Sequence, residues 1–235
     1  MPSDAHIVKA YTEEIAQLTG LVSEMGGYAQ SAVADAVDAL RKRDGELAAQ
    51  VIEGDKRLDA MEAQVSSLVI RILALRQPMA VDLRTVIASL KISSDLERVG
   101  DYAKNIAKRS LILNESPATG PINSIHNLSR MVQVMLNEVL DAYAKGDAEI
   151  SERLRERDEA VDAAHTGIFR ELITYMMEDQ RTITACTHLA FIAKNLERIG
   201  DHSTNIGENV AFQVAGERPV ERHLADDDPD TVDNL

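Results

Sequence analysis

Two acidic segments, one hundred residues apart, carry nearly the same sequence. Residues 95–101 read Asp-Leu-Glu-Arg-Val-Gly-Asp, residues 195–201 read Asn-Leu-Glu-Arg-Ile-Gly-Asp, and each segment is followed by an Asn four residues after its last Asp. Side chains four residues apart lie on the same face of an α-helix, so each segment predicts a row of oxygen atoms of the kind that divalent cations bind. The candidate ligands, of which the asparagines are the weaker, are Glu97, Asp101, Asn105, Glu197, Asp201 and Asn205.

A second set of acidic pairs has the same spacing and is also repeated. Asp55 and Asp59 match Asp158 and Asp162 when the sequence is shifted by 103 residues. Carboxylates four residues apart on a helix repel each other by about 0.2–0.5 kcal/mol, and a bound cation would reverse that repulsion. The repetition of both sets favours a four-carboxylate cation site in each half of the chain. A solvated acidic face and a surface for a basic partner are the alternatives.

The apolar residues of these segments predict the direction in which the carboxylates point. Ile92, Leu96 and Val99 fall on one side of a helix with 3.6 residues per turn, and Glu97 and Asp101 fall on the opposite side. The sites are therefore expected on an outer helix face. Carboxylate-bridged oxidases hold their ligands inside the bundle, so a metalloenzyme is an alternative that this pattern disfavours, and a scaffold without a ligand is another alternative.

The other reactive side chains form no catalytic pattern. Asp162 and His165 make an Asp-x-x-His pair, so His165 is a weaker candidate ligand, whereas His188 and His202 have no counterpart in the other half and are predicted to be incidental. Cys186 is predicted to be a buried apolar residue, since no His and Asp arrangement supports a nucleophile. The sequence has no phosphate-binding lysine loop and no nucleophile elbow. The prediction is a protein that is not an enzyme.

The apolar pattern around the motifs predicts six long helices in two groups. Aromatic residues make up 3% of the chain and aliphatic residues dominate, a composition typical of helical bundles. Apolar residues recur at spacings of three and four in three stretches, and again in three stretches after a run of turn residues at 114–121. The predicted fold is all-α, with two tandem, pseudo-twofold-related three-helix bundles. The predicted limits are 1–113 for the first bundle, 114–121 for the linker, 122–213 for the second bundle and 214–235 for a disordered acidic tail.

Charge and cysteine content restrict the partners and the compartment. A formal net charge of −14 disfavours nucleic acid. One cysteine cannot form an internal disulfide, and no secretory signal or membrane-spanning segment is recognised. We therefore expect a cytoplasmic protein that contacts membranes only through partners. Leu83, Ile87 and Leu90 form an additional apolar face on the third helix, which makes a homodimer the expected oligomer.

These motifs resemble those of the PhoU family, the phosphate-uptake regulators of bacteria. The resemblance is carried by residues 95–105 and 195–205, by Leu-Arg-Gln-Pro at 75–78 and by Thr-Tyr-Met-Met-Glu-Asp at 174–179, and it covers about residues 5–213. It implies two three-helix bundles that hold metal ions or clusters on the bundle surface, with Fe, Zn, Mn or Mg as candidate ions. The ligands that it implies are Glu97, Asp101, Glu197 and Asp201, with Asp55, Asp59, Asp158 and Asp162 matching the pattern on the second helices.

The resemblance also implies a non-enzymatic role in phosphate homeostasis. Members of the family are described as repressing the phosphate-starvation response and limiting phosphate uptake. They couple the ATPase subunit of the phosphate ABC transporter to a membrane sensor histidine kinase. On this expectation the protein is a cytoplasmic adaptor, peripheral to the inner membrane through its partners.

Overall fold

The fold is described by a computed structural model that covers residues 3–115, 117 and 120–216, with side chains described from residue 11 onward. Within these residues the chain forms six long α-helices and a short 3₁₀ helix, Gln180–Thr182, which confirms the all-α prediction. None of the described helices is long and apolar enough to cross a membrane. The long helices are α1 (Ser3–Lys42), α2 (Gly45–Arg76), α3 (Ala80–Asn114), α4 (Ile122–Lys145), α5 (Ile150–Glu178) and α6 (Ile183–Ala215).

The helix ends follow local backbone chemistry. At the start of α2, the Asp44 carboxylate accepts a hydrogen bond from the backbone N–H of Glu46 at 3.1 Å, and the repeat-equivalent Asp147 accepts one from the N–H of Glu149 at 3.0 Å. Helix α2 ends where Gln77 adopts a left-handed conformation with a φ of 49°. Helix α6 continues two residues past the predicted end of the second bundle. The rest of the predicted acidic tail, residues 217–235, lies outside the described residues.

The two bundles share one apolar core. Helices α1, α2 and α3 pack together, α4, α5 and α6 pack together, and α3 and α6 lie side by side between them. Leu96 of α3 and Leu196 of α6 are both fully buried, at the equivalent place in each motif. Buried apolar residues on both sides of the α3–α6 contact belong to the same core, so the two halves pack together as one unit.

Polar contacts show that α3 and α6 run antiparallel. Asp95 Oδ1 lies 2.9 Å from His202 Nδ1, and Arg109 donates to His188 Nδ1 at 3.2 Å at the other end of the contact. The His202 ring also lies 5.6 Å from the ring of Tyr102. The prediction that the two histidines are incidental was therefore wrong, because each forms a polar contact with α3 of the other repeat.

Two glycines mark the points where α3 and α6 approach their neighbours. A β-carbon on Gly100 would overlap the side chain of Leu58 on α2, whereas one on Gly200 would lie 3.4 Å from Val161 Cγ1 on α5. Leu58 and Val161 are equivalent in the repeat, so both halves use the same helix contact, and the first half is packed more closely. This confirms the interpretation that these glycines serve helix packing.

The difference between the glycines predicts opposite effects of alanine. Gly100→Ala is expected to lower the free energy of unfolding by up to about 2 kcal/mol, because overpacking costs about 1–3 kcal/mol and the gain in helix propensity offsets about 1 kcal/mol of that cost. Gly200→Ala has room for its methyl group, so a gain of up to about 1 kcal/mol is expected. Urea denaturation followed by circular dichroism measures both. Equal effects at the two positions would contradict the packing difference.

Candidate metal centres

The first acidic cluster consists of Asp55 and Asp59 on α2 and Glu97 and Asp101 on α3. Glu97 and Asp101 lie on the outer side of α3, as their positions opposite the apolar residues predict, yet they are only 26% and 27% exposed because α2 lies beside them. Asp55 is 6% exposed, whereas Asp59 faces solvent. The structure therefore brings all four carboxylates to one place.

Loss of hydration, and then mutual repulsion, raise the pKa values of two carboxyl groups in this cluster. Burial raises the pKa of Glu97, and the charge of Asp101 raises it further. Although Asp59 faces solvent, partial desolvation by neighbouring atoms raises its pKa, and the charge of Asp55 raises it further. Carboxylates that are crowded and partly buried favour their neutral forms unless a positive charge compensates them.

Lys104, which is not one of the predicted ligand residues, supplies that positive charge. Lys104 Nζ, on α3, donates to Asp55 Oδ2 and to Asp101 Oδ1, each at 2.5 Å, and its side chain is 22% exposed. Burial works against the charged form of Lys104, but the hydrogen bonds and charges of Asp101 and Asp55 outweigh it, so the pKa of Lys104 is raised. The ammonium group is therefore part of the cluster and stays charged.

The second acidic cluster consists of Asp158 and Asp162 on α5 and Glu197 and Asp201 on α6. One carboxylate oxygen from each of Asp162, Glu197 and Asp201 can be chosen so that all three lie within 4.8 Å of one another. In the part of the chain that the structure describes, no other three His, Cys, Asp or Glu residues come this close together. Asp162 faces solvent, which leaves a path by which an ion could enter.

Two carboxyl groups of this cluster, those of Glu197 and Asp201, are crowded and partly buried. Glu197 is 12% exposed, and its Oε2 atom is buried without a hydrogen-bond partner among the described residues. Burial raises the pKa of Asp201 to about 7, with further contributions from the charges of Glu197 and Asp158. A buried carboxylate oxygen without a donor costs free energy, and a cation is one group that can satisfy it.

Two further side chains lie beside the second cluster. Lys194 donates to Glu197 Oε1 at 2.7 Å from one turn away on α6, and it is 45% exposed. Burial lowers the pKa of His165, while the charges of Glu197 and Asp162 act in the opposite direction. A neutral imidazole is therefore near the carboxylates, although His165 is not one of the three residues in the compact group.

The donor sets of the two clusters differ in their fit to a metal ion. In the second cluster, oxygens of three carboxylates lie within 4.8 Å of one another, which fits a divalent cation. The first cluster already holds an ammonium group between its carboxylates, which does not fit. Asn105 and Asn205 are half-buried, and Asn205 uses its backbone carbonyl to accept from the Asn209 amide at 2.9 Å. They remain the weaker candidates.

Fold and sites together define the class: an all-helical protein of two repeated three-helix units, each with an acidic cluster on its outer face. The family model described as the PhoU domain matches residues 22–110 and again 125–210. The chain belongs to the PhoU family, and the internal duplication predicted from its motifs is confirmed.

Relatives and solved structures agree over almost the whole chain. The phosphate-specific transport system accessory protein PhoU homolog of Caulobacter vibrioides is 54% identical over 90% of this chain and 93% of its own length. The PhoU protein of Escherichia coli is 38% identical over 97% of this chain and 93% of its own. The crystal structure of PhoU from Pseudomonas aeruginosa matches with a TM-score of 0.85 at 38% identity, covering 88% of this chain and 100% of that one. The PhoU structure from Streptococcus pneumoniae, called a phosphate transport system regulatory protein, gives 0.81 at 28% identity, with coverages of 89% and 99%.

Proposed function

We propose that this protein is a regulatory accessory protein of a phosphate-specific transport system, which limits phosphate uptake and represses the phosphate-starvation response. Family membership over nearly the whole chain carries the proposal. The relatives from Caulobacter vibrioides and Escherichia coli are named as accessory proteins of that system. Long helices with acidic outer faces supply binding surfaces, which is what a regulator without a reaction of its own requires.

The proposed mechanism is a physical coupling between the ATPase subunit of the transporter and a membrane sensor histidine kinase. The protein would work in the cytoplasm, at the membrane only through these partners. A net charge of −14 supports basic surfaces on the partners, because opposite charges speed and orient association. A homodimer is part of the proposal. Of the apolar face predicted for it, Leu83 is 39% exposed, whereas Ile87 and Leu90 are half-buried. Met79 and Val81, which are 81% and 57% exposed, lie next to Leu83 in the sequence and are further apolar side chains that a second copy could cover.

Metal binding at the second acidic cluster is the chemical part of the proposal. Asp162, Glu197 and Asp201 would hold a divalent cation, which would supply the positive charge that fixes α5 against α6. Carboxylate oxygens suit Mg or Mn, and His165 beside them makes Fe or Zn compatible as well. The close approach of Asp162, Glu197 and Asp201 supports this site over the first cluster, where Lys104 already joins Asp55 to Asp101.

Deletion of the gene tests the regulatory role. In phosphate-rich medium, the deletion strain is expected to show raised expression from a phosphate-starvation reporter, and a second deletion, of the sensor kinase, is expected to abolish the rise. The wild-type gene on a plasmid should restore repression. A reporter that stays low after the first deletion would refute the regulatory role, and a rise that survives loss of the kinase would refute the coupling.

Two plasmid-borne variants test whether the second cluster takes part. Glu197→Gln/Asp201→Asn is expected to leave the reporter raised, because it removes the carboxylates that would hold the cation. Glu156→Gln/Glu159→Gln removes as many charges from exposed positions of α5 and is expected to restore repression. Full restoration by both variants, at equal protein levels, would separate the cluster from the regulatory role.

A further inference from the structure

The two acidic clusters differ at one pair of equivalent positions. A shift of 100 residues places Lys104 of α3 on Thr204 of α6. Lys104 reaches across to α2, where its ammonium group lies 2.5 Å from Asp55 Oδ2. The hydroxyl of Thr204 instead donates to the carbonyl of Gly200 at 3.4 Å, within its own helix. The duplication therefore preserved the carboxylates and changed the residue that stands among them.

Lys104 occupies the place that a bound cation would take in the first cluster. Its ammonium group joins a carboxylate of α2 to Asp101 of α3, and its side chain is only 22% exposed. A divalent cation at the same carboxylates would lie within a few ångströms of this tethered positive charge, at a site where water screens the repulsion poorly. The lysine thus offsets part of the charge of Asp55 and Asp101 and repels a metal ion at the same time.

Lys194 does not play this part in the second cluster. It pairs with Glu197 three residues along the same helix, so it does not join α6 to α5. Its side chain is 45% exposed, and an exposed ion pair of this kind contributes little and is easily exchanged for water. Meanwhile Asp162, Glu197 and Asp201 remain close enough together to share an ion.

We propose that Lys104 is a built-in counter-cation that closes the first acidic cluster, so that each protomer binds a divalent metal ion in the second repeat alone. This rests on the metal binding proposed above for the second cluster. It adds that the first repeat uses a lysine where the second uses an exchangeable ion. The contact between α2 and α3 is then independent of metal supply, whereas the contact between α5 and α6 responds to it.

Counting bound Mn²⁺, through loss of the electron paramagnetic resonance signal of the free ion, tests the proposal. Wild-type protein is expected to bind about one Mn²⁺ per protomer, and Lys104→Thr about two, since threonine reproduces the second repeat. Glu197→Gln/Asp201→Asn is expected to bind none, and adding Lys104→Thr to that variant is expected to restore about one, at the first cluster. Two ions on the wild type, or a count that Lys104→Thr leaves unchanged, would overturn the proposal.

If the Lys104→Thr protein does not fold, the reciprocal substitution in the second repeat provides an independent test. Thr204→Lys introduces a lysine at the equivalent, half-buried position of α6 and is expected to abolish Mn²⁺ binding. Thr204→Gln, which is long but neutral, is expected to retain it. A folded Thr204→Lys protein that still binds Mn²⁺ would overturn the proposal.

Failure of the metal site proposed for the second cluster gives a different result. The wild type would then bind no Mn²⁺, and Lys104→Thr would still gain about one ion if the lysine is what closes the first cluster. No gain from Lys104→Thr would overturn the further inference as well.

Discussion

Lys104→Thr is expected to lower the free energy of unfolding by about 2–4 kcal/mol when metal ions are chelated. Removal of one partner from a buried ion pair costs about 3–5 kcal/mol, and the 22% exposure of Lys104 reduces that value. Asp55 is 6% exposed and its Oδ1 atom already lacks a hydrogen-bond partner among the described residues, so the substitution would leave both its oxygens unsatisfied. Urea denaturation in the presence of a chelator measures the loss.

Three comparisons identify the cause of that loss. Mn²⁺ at about one hundred times its dissociation constant is expected to return about 2.7 kcal/mol to the Lys104→Thr protein, because a ligand of the folded state stabilises it. Adding Asp55→Asn should recover part of the loss without metal, since it removes the buried charge. Lys194→Thr, which breaks an exposed ion pair, is expected to cost less than about 1 kcal/mol. If Lys104→Thr were as stable as the wild type, the ammonium group would not be the charge that holds the first cluster.

The carboxylate clusters could be located from the sequence because local geometry and duplication both specify them. Spacings of four place Glu97 beside Asp101 on a helix, whatever the tertiary structure. The repeat adds a second line of evidence, because an acidic pair on the second helix accompanies an acidic pair on the third helix in both halves. The structure brings Asp55 to the same place, which the sequence alone could state only as an expectation.

The role of Lys104 could not be derived in the same way. Its position three residues after Asp101 suggests an ordinary pair on one helix, and only the separation of α2 and α3 decides whether its ammonium group also reaches Asp55. That separation is small because Gly100 lets Leu58 approach the backbone of α3. The sequence nevertheless shows that Lys104 is replaced by Thr204 in the second repeat. A comparison of the residues between the motif positions therefore identifies Lys104 as a difference between the two clusters.

The contacts between the repeats could not be predicted from the sequence for a related reason. An internal duplication aligns each residue with its own equivalent, so it predicts what happens within a repeat. His202 bonds Asp95 across the α3–α6 contact, whose antiparallel arrangement no single-repeat pattern encodes. Contacts between pseudo-symmetric halves can therefore be identified only from the tertiary structure, even where the helices of each half are predicted well.

Asp201→Asn is expected to stabilise the metal-free protein by about 2–4 kcal/mol at pH 8, the reverse of the usual effect of removing a charged group. The pKa of Asp201 is about 7 in the folded state, raised by burial and by neighbouring carboxylates, against a usual value of 3.8. Between these two values the folded state binds more protons than the unfolded state, so the contribution of Asp201 to stability falls as the pH rises from about 4 to about 7. Each pKa unit corresponds to about 1.4 kcal/mol, and partial exposure reduces the sum.

Asparagine resembles the protonated acid at every pH, which gives this prediction a distinctive profile. The difference in unfolding free energy between Asp201→Asn and wild type is expected to be close to zero at pH 4 and to grow until about pH 7, in urea denaturation with chelator present. Added Mn²⁺ should reverse the order, because only the wild type keeps the carboxylate that binds it. Asp101→Asn is the matched control in the first cluster, where the substitution removes a negative charge that pairs with Lys104 and should destabilise instead. A difference for Asp201→Asn that does not change with pH would mean that Asp201 is already paired with a positive charge in the folded protein, and the second cluster would then have no need of a metal ion.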